Sequence, residues 1–190
     1  PASRDEIDYI EADLLDRPAL ARTIANATSS TYRYIVYCLT PSDRSEQAYR
    51  DIYITGLANL IEALPNPSEI KRLYFVSSTS VYHQDDCAIV DENSTTNPTS
   101  YSGKTLLEAE EQLTRFDFPS TVVRFSGIYG RSRSRLVSQV KAGELSLKTT
   151  PSLTNRIHED DCVGFLDHLI KQDIAGHTSL ELYLASDSKP

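Results

Sequence analysis

Continuous apolar runs alternate along the chain with stretches in which apolar residues recur every three or four positions. The runs at 34–39, 73–76 and 121–125 are rich in β-branched and aromatic residues, which is typical of strands buried on both faces of a sheet. The recurring pattern at 42–64 and 102–116 predicts two helices, each with a broad apolar face. The alternation of the two patterns predicts an α/β fold in which a doubly wound parallel sheet carries helices on both faces.

Weaker patterns complete the order of elements. They predict a strand over 7–10, a helix from Pro18 to Ala27, helices over 135–141 and 159–171, and a last strand over 180–184. The 190 residues, of which 39% are hydrophobic, suffice for one domain with a substantial core. We also expect Asp160 or Asp161 to cap the helix that begins near 159.

Charge and cysteine content exclude several classes of protein. The 27 acidic and 19 basic residues give a net charge of −8, which disfavours binding to nucleic acid or to an anionic membrane. No apolar run approaches the roughly 20 residues that span a bilayer. Cys38, Cys87 and Cys162 are far apart, which predicts neither a disulfide framework nor a metal site. We expect a soluble, cytoplasmic protein that acts on a small molecule.

Ligands of parallel α/β sheets bind at the carboxyl ends of the strands. The residues at those ends are Asp13 and Leu14, Cys38 to Thr40, Ser77 to Thr79, and Phe125 to Gly127. Four consecutive hydroxyls from Ser77 to Ser80 follow one buried strand, where each is able to donate and to accept a hydrogen bond. The alternative interpretation is a hydroxyl-rich turn that caps the next segment.

A tyrosine and a lysine lie one turn apart at the start of the helix predicted over 102–116. A lysine ammonium near the Tyr101 phenol would lower the pKa of the phenol and make it a proton donor or acceptor near neutral pH. The lysine is Lys104, three positions after Tyr101. The alternative is that both are ordinary surface residues of a helix.

The ordered set of motifs resembles the extended short-chain dehydrogenase/reductase superfamily, in particular its NAD-dependent epimerase/dehydratase group and the atypical members of that group. The motifs are Glu11 to Leu14, Gly56 to Leu60, Tyr74 to Tyr82, Ser102 to Glu110, Val123 to Gly130, and Asn155 to Asp161. The resemblance implies a Rossmann-like sheet, with residues 1–130 in the NAD(P)-binding domain. Residues 131–190 would belong to a small substrate-side region and a returning strand.

The resemblance also implies roles for individual residues. Ser78, Tyr101 and Lys104 would be catalytic. NAD or NADP would be bound by Asp13, Leu14, Cys38, Leu39, Thr40, Ser77, Lys104, Phe125, Ser126, Gly127 and Ile128. The substrate would be contacted by Thr79, Tyr82, Arg131 and Arg156.

Three departures from the superfamily pattern bear on function. The glycine-rich turn that holds the pyrophosphate is absent, so we expect the chain to begin after the unit that carries it and the sheet to be incomplete at its N-terminal side. Tyr101 precedes Lys104 by three positions instead of four, and Tyr53 occupies a position where relatives carry asparagine.

Two hypotheses follow from the resemblance. One is an NAD(P)-dependent oxidoreductase of the sugar-nucleotide epimerase/dehydratase kind that works by hydride transfer on a small molecule such as a nucleotide sugar. The other is a catalytically silent NAD(P)-binding sensor or structural protein. A third, less specific outcome is a domain that has lost its affinity for the cofactor. The resemblance is also compatible with a homodimer formed through helices at 42–64 and 99–115.

Overall fold

Four parallel strands form the main sheet in the computed structural model. The structure describes residues 8–27, 33–83, 88–131, 135–143 and 154–188, the side chains of 135–137 excepted. The sheet consists of β1 (Tyr34–Tyr37), β2 (Arg72–Ser78), β3 (Ser120–Phe125) and β6 (Leu182–Ala185), in the order β1-β2-β3-β6. All three pairings are parallel, so the predicted parallel α/β fold is confirmed. The strand expected to return from the C-terminal part is β6, which pairs with β3.

The helices and a small second sheet surround these strands. The helices are α1 (Arg17–Ala25), α2 (Glu46–Arg50), α3 (Leu57–Ala63), α4 (Tyr101–Leu113), α5 (Arg135–Lys141) and α6 (Glu159–Ile174). The second sheet pairs β4 (Gly127–Tyr129) with β5 (Arg156–His158) in parallel. No helix among the described residues is both long enough and apolar enough to cross a membrane.

The main sheet has an apolar core on each face. Alternate residues of β2 point to opposite faces, so Leu73 and Phe75 pack with Leu57 and Leu106 from α3 and α4. Tyr74, between them, packs in the second core with α6. Burial on both faces explains why the strand reads as an unbroken apolar run.

A polar cluster joins α6 to the amino end of β2. The Asp173 carboxylate accepts hydrogen bonds from Arg72 Nε at 2.6 Å, from the Tyr74 hydroxyl at 2.6 Å and from the Ser179 hydroxyl at 2.8 Å. The side chains of Arg72 and Asp173 are only 9% and 8% exposed. This cluster lies at the end of the sheet opposite to the strand ends that the sequence marks as functional.

The helix predicted over 42–64 is divided into three parts. A π-helical turn at Asp51–Gly56 separates α2 from α3. A Cβ on Gly56 would lie 3.2 Å from Leu14 Cβ, and the Asn59 amide donates to the Leu14 carbonyl at 2.8 Å. The glycine therefore allows the segment that precedes α1 to pack closely on this helix.

Two smaller expectations differ from the structure. Residues 8–10 form no strand, and Ile7 lies outside the described residues. His158, and not Asp160 or Asp161, caps α6, because its Nδ1 accepts the Asp160 N–H at 3.2 Å. A histidine whose Nδ1 is unprotonated is an acceptor, as a capping serine or aspartate is.

Candidate functional site

The carboxyl ends of the four parallel strands lie along one edge of the main sheet. The segments that follow them begin at Cys38, Thr79, Ser126 and Ser186. Cys38, Leu39 and Thr40 are exposed after β1. This edge therefore brings together three of the four strand ends at which the sequence predicts a site, those at 38–40, 77–79 and 125–127, whereas the described residues before Asp13 form no strand.

The serines at the end of β2 have different surroundings. Ser77 is 5% exposed, and its hydroxyl donates to Glu110 Oε1 on α4 at 2.5 Å. Strand alternation turns Ser78 away from Glu110, and Ser78 Oγ accepts the Ser80 N–H at 3.1 Å. Ser78 thus caps the 3₁₀ turn Thr79–Val81. Among the described residues no group accepts the Ser78 hydroxyl proton, whereas the Ser77 hydroxyl is used inside the protein.

The first turn of α4 packs directly on this 3₁₀ turn. Ser100 caps the helix, since its hydroxyl accepts the Gly103 N–H at 3.1 Å. A Cβ on Gly103 would overlap the Ser80 carbonyl and lie 2.7 Å from Pro98 Cβ. This close approach places Lys104, which is exposed, one residue from the contact with the hydroxyl-rich turn.

Tyr101 contacts the segment after β1. Its hydroxyl donates to the Arg44 carbonyl, and its ring packs edge-on to Tyr49 with the centroids 5.5 Å apart. The Tyr53 hydroxyl donates to the Leu39 carbonyl of the same segment at 3.0 Å. Tyr53 therefore holds the segment that the resemblance assigns to the cofactor, and Tyr101 holds the residues just after it. Among the described hydrogen bonds none joins Tyr101 to Lys104.

The end of β3 offers a buried hydroxyl and a guanidinium. Ser126 is 3% exposed, and its Oγ has no hydrogen-bond partner among the described residues. A Cβ on Gly127 would lie 2.6 Å from Arg156 Nη1, so the Arg156 side chain lies against this glycine. Within the described residues, no hydrogen bond or ion pair engages the Arg156 guanidinium. Arg131 is exposed nearby in sequence.

A buried ion pair behind the hydroxyl-rich turn was missed by the sequence reasoning. Arg124 Nη2 lies 2.5 Å from Glu110 Oε2, and both side chains are 7% exposed. Burial lowers the pKa of Arg124, but the hydrogen bonds and charge of Glu110 outweigh it, so the net pKa is raised and the guanidinium stays charged. The one available signal was a charged residue, Arg124, inside the otherwise uncharged strand run at 121–125.

Asp13 and Leu14 are held near α3 and α1. Asp13 Oδ1 accepts the Leu15 N–H at 2.8 Å, and the side chain of Asp13 is exposed. Leu14 is half-buried and packs against the apolar core beneath α3. No hydrogen bond from a described residue reaches the second carboxylate oxygen of Asp13.

Comparison with known proteins places the chain in a family. Residues 1–178 match the NAD dependent epimerase/dehydratase family. A solved protein of Methylobacillus flagellatus, itself only provisionally assigned as an NAD-dependent epimerase/dehydratase, is 32% identical with a TM-score of 0.76 over 100% of this chain and 64% of its own. Protein YeeZ of Escherichia coli K12 is 31% identical over 134 residues, which are 67% of this chain and 45% of YeeZ.

More distant solved structures share the fold. UDP-glucose 4-epimerase from Brucella ovis, solved with NAD, is 18% identical with a TM-score of 0.70 over 94% of this chain and 64% of its own. A neighbour from Pseudomonas aeruginosa was solved with NADPH. The chain spans less than half the length of the curated relatives that it matches. The expected superfamily and its cofactor class, NAD or NADP, are confirmed at the level of the family. The chain belongs to the NAD-dependent epimerase/dehydratase family.

Proposed function

We propose that this chain supplies the strand-end crevice of an NAD(P)-dependent oxidoreductase of the epimerase/dehydratase kind. The observation that carries the proposal is that the two serines at the end of β2 differ in their hydrogen bonds. Ser77 is anchored inside the protein by Glu110, whereas Ser78 keeps a hydroxyl proton beside the first turn of α4. A hydroxyl so placed is suited to orient a substrate oxygen.

The described residues offer groups suited to bind part of a dinucleotide. The exposed segment Cys38–Thr40 offers backbone groups, and Ser126 offers an orphaned buried hydroxyl that a bound group would satisfy. Asp13 and Leu14 would hold the adenine side, and Phe125 to Ile128 would flank the nicotinamide side. The 190 residues contain no G-x-G-x-x-G sequence, so the pyrophosphate turn lies outside the groups that this chain offers.

The proposed catalytic roles are those that the resemblance implies. The bound nicotinamide would supply hydride-transfer chemistry at a substrate carbinol carbon. Ser78 would hold the substrate oxygen, and Lys104 would bind the ribose of the cofactor. Tyr101 would move the substrate proton after exchanging its hydrogen bond to the Arg44 carbonyl for one to the substrate.

Substrate recognition would combine hydroxyl groups with the guanidinium groups of two arginines. Thr79 lies on the hydroxyl-rich turn, whereas the Tyr82 hydroxyl already contacts two protein groups. Arg156 and Arg131 carry charges suited to phosphate oxygens, which favours a nucleotide sugar as the substrate class.

Cofactor titration of the whole protein, followed by turnover assays with a panel of nucleotide sugars, tests the proposal. We expect Ser78→Ala to lower kcat about 100-fold, as loss of one oriented donor does, with little change in the Kd for NAD. Ser138→Ala, on the exposed side of α5, is the matched control and should leave kcat unchanged. Equal turnover in both variants would remove Ser78 from the mechanism.

A second candidate is a dinucleotide-binding protein without turnover. It is favoured by the Tyr101 hydroxyl, which is engaged by the Arg44 carbonyl. Binding of NAD or NADP without hydride transfer across the whole panel would support this candidate. Turnover that Tyr101→Phe abolishes would instead support the enzyme.

Gly127 tests the role of the neighbouring guanidinium. An alanine Cβ would meet Arg156 Nη1 at 2.6 Å, and the end of this flexible side chain would move aside without disturbing the backbone. Loss of one charge-assisted contact predicts that Gly127→Ala raises KM for a phosphate-bearing substrate about tenfold. Arg156→Gln should reproduce this rise. An unchanged KM in both variants would show that Arg156 does not touch the substrate.

A further inference from the structure

A chain of buried polar contacts runs behind the hydroxyl-rich turn. It begins at Glu110, whose Oε1 accepts the Ser77 hydroxyl at 2.5 Å and Arg124 Nε at 3.1 Å. Arg124 Nη2 completes a forked contact with Oε2 at 2.5 Å. All three residues are at most 8% exposed, so water does not replace these contacts.

The chain continues to the other end of the turn. Arg124 Nη1 donates to the Tyr82 hydroxyl at 2.8 Å, and the guanidinium lies 5.1 Å from the centroid of the Tyr82 ring. The Tyr82 hydroxyl in turn donates to the Asp91 carbonyl at 2.9 Å. The Tyr82 side chain is therefore held by the contact of its ring with Arg124 and by two hydrogen bonds of its hydroxyl, one accepted and one donated.

These contacts hold the residues on both sides of Ser78 and Thr79. Ser77 immediately precedes Ser78, and Tyr82 immediately follows the 3₁₀ turn Thr79–Val81. A forked contact between a guanidinium and a carboxylate has a fixed geometry, so it sets the relative position of the two side chains as well as attracting them to each other. A buried ion pair is also no better for stability than apolar residues of the same volume, so stability alone does not account for it.

We propose that Glu110 and Arg124 are positioning residues, which hold Ser77 and Tyr82 so that Ser78 and Thr79 keep their places at the strand-end crevice. This inference rests on the proposed function for its consequence in catalysis. It also changes the role of Tyr82, which supports the turn from behind and does not contact the substrate.

Tyr82→Phe is the direct test because it removes the hydroxyl and keeps the ring. Tyr74→Phe is the matched control, since Tyr74 also bonds a buried arginine–carboxylate pair, but at the opposite end of β2. We expect Tyr82→Phe to lower kcat about 10- to 100-fold, as a misplacement near 1 Å does, with the Kd for NAD unchanged. Tyr74→Phe should leave kcat unchanged. Equal effects of the two variants on kcat would overturn the proposal.

Hydrogen exchange gives a readout that does not need turnover. The amides of residues 78–82 should exchange about tenfold faster in Tyr82→Phe and in Ser77→Ala than in the wild-type protein, because the turn opens more often. In Tyr74→Phe their exchange should match the wild type. Unchanged exchange in Tyr82→Phe and Ser77→Ala would overturn the proposal. If the wild-type protein shows no turnover but Tyr82→Phe and Ser77→Ala exchange faster than it as expected, the proposed function is refuted and the positioning role is supported.

Discussion

Asp173→Ala should lower the free energy of unfolding by about 3–5 kcal/mol, which is the cost of removing one partner from a buried ion pair. The Arg72 guanidinium and the Tyr74 hydroxyl would lose their shared acceptor, 2.6 Å from each, and Arg72 would keep only its weaker contacts with Ser120 and Thr121. Urea unfolding followed by circular dichroism measures the change.

The control is on the same helix. Asp167→Ala removes the exposed partner of Lys171, whose Nζ lies 2.6 Å from Asp167 Oδ2. An exposed pair of this kind is worth little, so the change should stay within about 0.5 kcal/mol. If the two aspartate variants unfold at the same urea concentration, the buried cluster does not join α6 to the sheet as described.

The same cluster predicts how stability depends on pH. Burial raises the pKa of Asp173, but hydrogen bonds from Tyr74, Ser179 and Arg72 outweigh it, so the pKa in the folded protein lies below its usual value. A lowered pKa in the folded state contributes stability above the unfolded pKa, near 4. That contribution is lost as the pH falls from there through the folded pKa. Asp173→Asn should lack this part of the acid dependence, and an unchanged acid transition in that variant would contradict the assignment.

Sequence patterns identified the four strands of the main sheet because burial leaves a local signature, whereas the weak alternation at 7–10 predicted a strand that residues 8–10 do not form. The run at 73–76 is apolar throughout, since Leu73 and Phe75 enter one core and Tyr74 the other. The pattern at 42–64 shows the apolar face of a helix but not the π-helical turn within it. The π-helical turn leaves little trace in periodicity, and Leu14, against which Gly56 packs, lies 42 positions earlier in the sequence.

The candidate site was predictable in its location and less so in its contacts. The hydroxyl-rich turn after β2 was identifiable because strand ends meet at one edge of a parallel sheet. The partner of Ser77 was not, since Glu110 is 33 positions away and reads as one more glutamate on a helix. Tyr101 and Lys104 are neighbours in sequence, which favours a pair. The Tyr101 phenol instead donates a hydrogen bond to the Arg44 carbonyl, 57 positions away.

Gly103→Ala should damage both stability and catalysis, since it changes the contact that fixes α4 against the hydroxyl-rich turn. The new Cβ would overlap the Ser80 carbonyl and lie 2.7 Å from Pro98 Cβ. The Ser80 carbonyl belongs to the backbone, so the helix itself must move. Overpacking of this kind predicts a loss of about 1–3 kcal/mol in the free energy of unfolding. The shift also moves the start of α4, which carries Lys104, relative to the hydroxyl-rich turn, and this predicts a fall in kcat of about 100-fold.

Gly164→Ala is the matched control, because Gly164 lies within α6 and a Cβ there would meet nothing within 4 Å. Alanine is the better helix former, so this variant should gain up to about 1 kcal/mol and keep its turnover. Urea unfolding and turnover, measured on both variants, separate the two effects of Gly103. A Gly103→Ala protein that is less stable but fully active would show that α4 supports the fold without ordering the site. Loss of activity at nearly full stability would place the catalytic geometry in the contact between α4 and the turn.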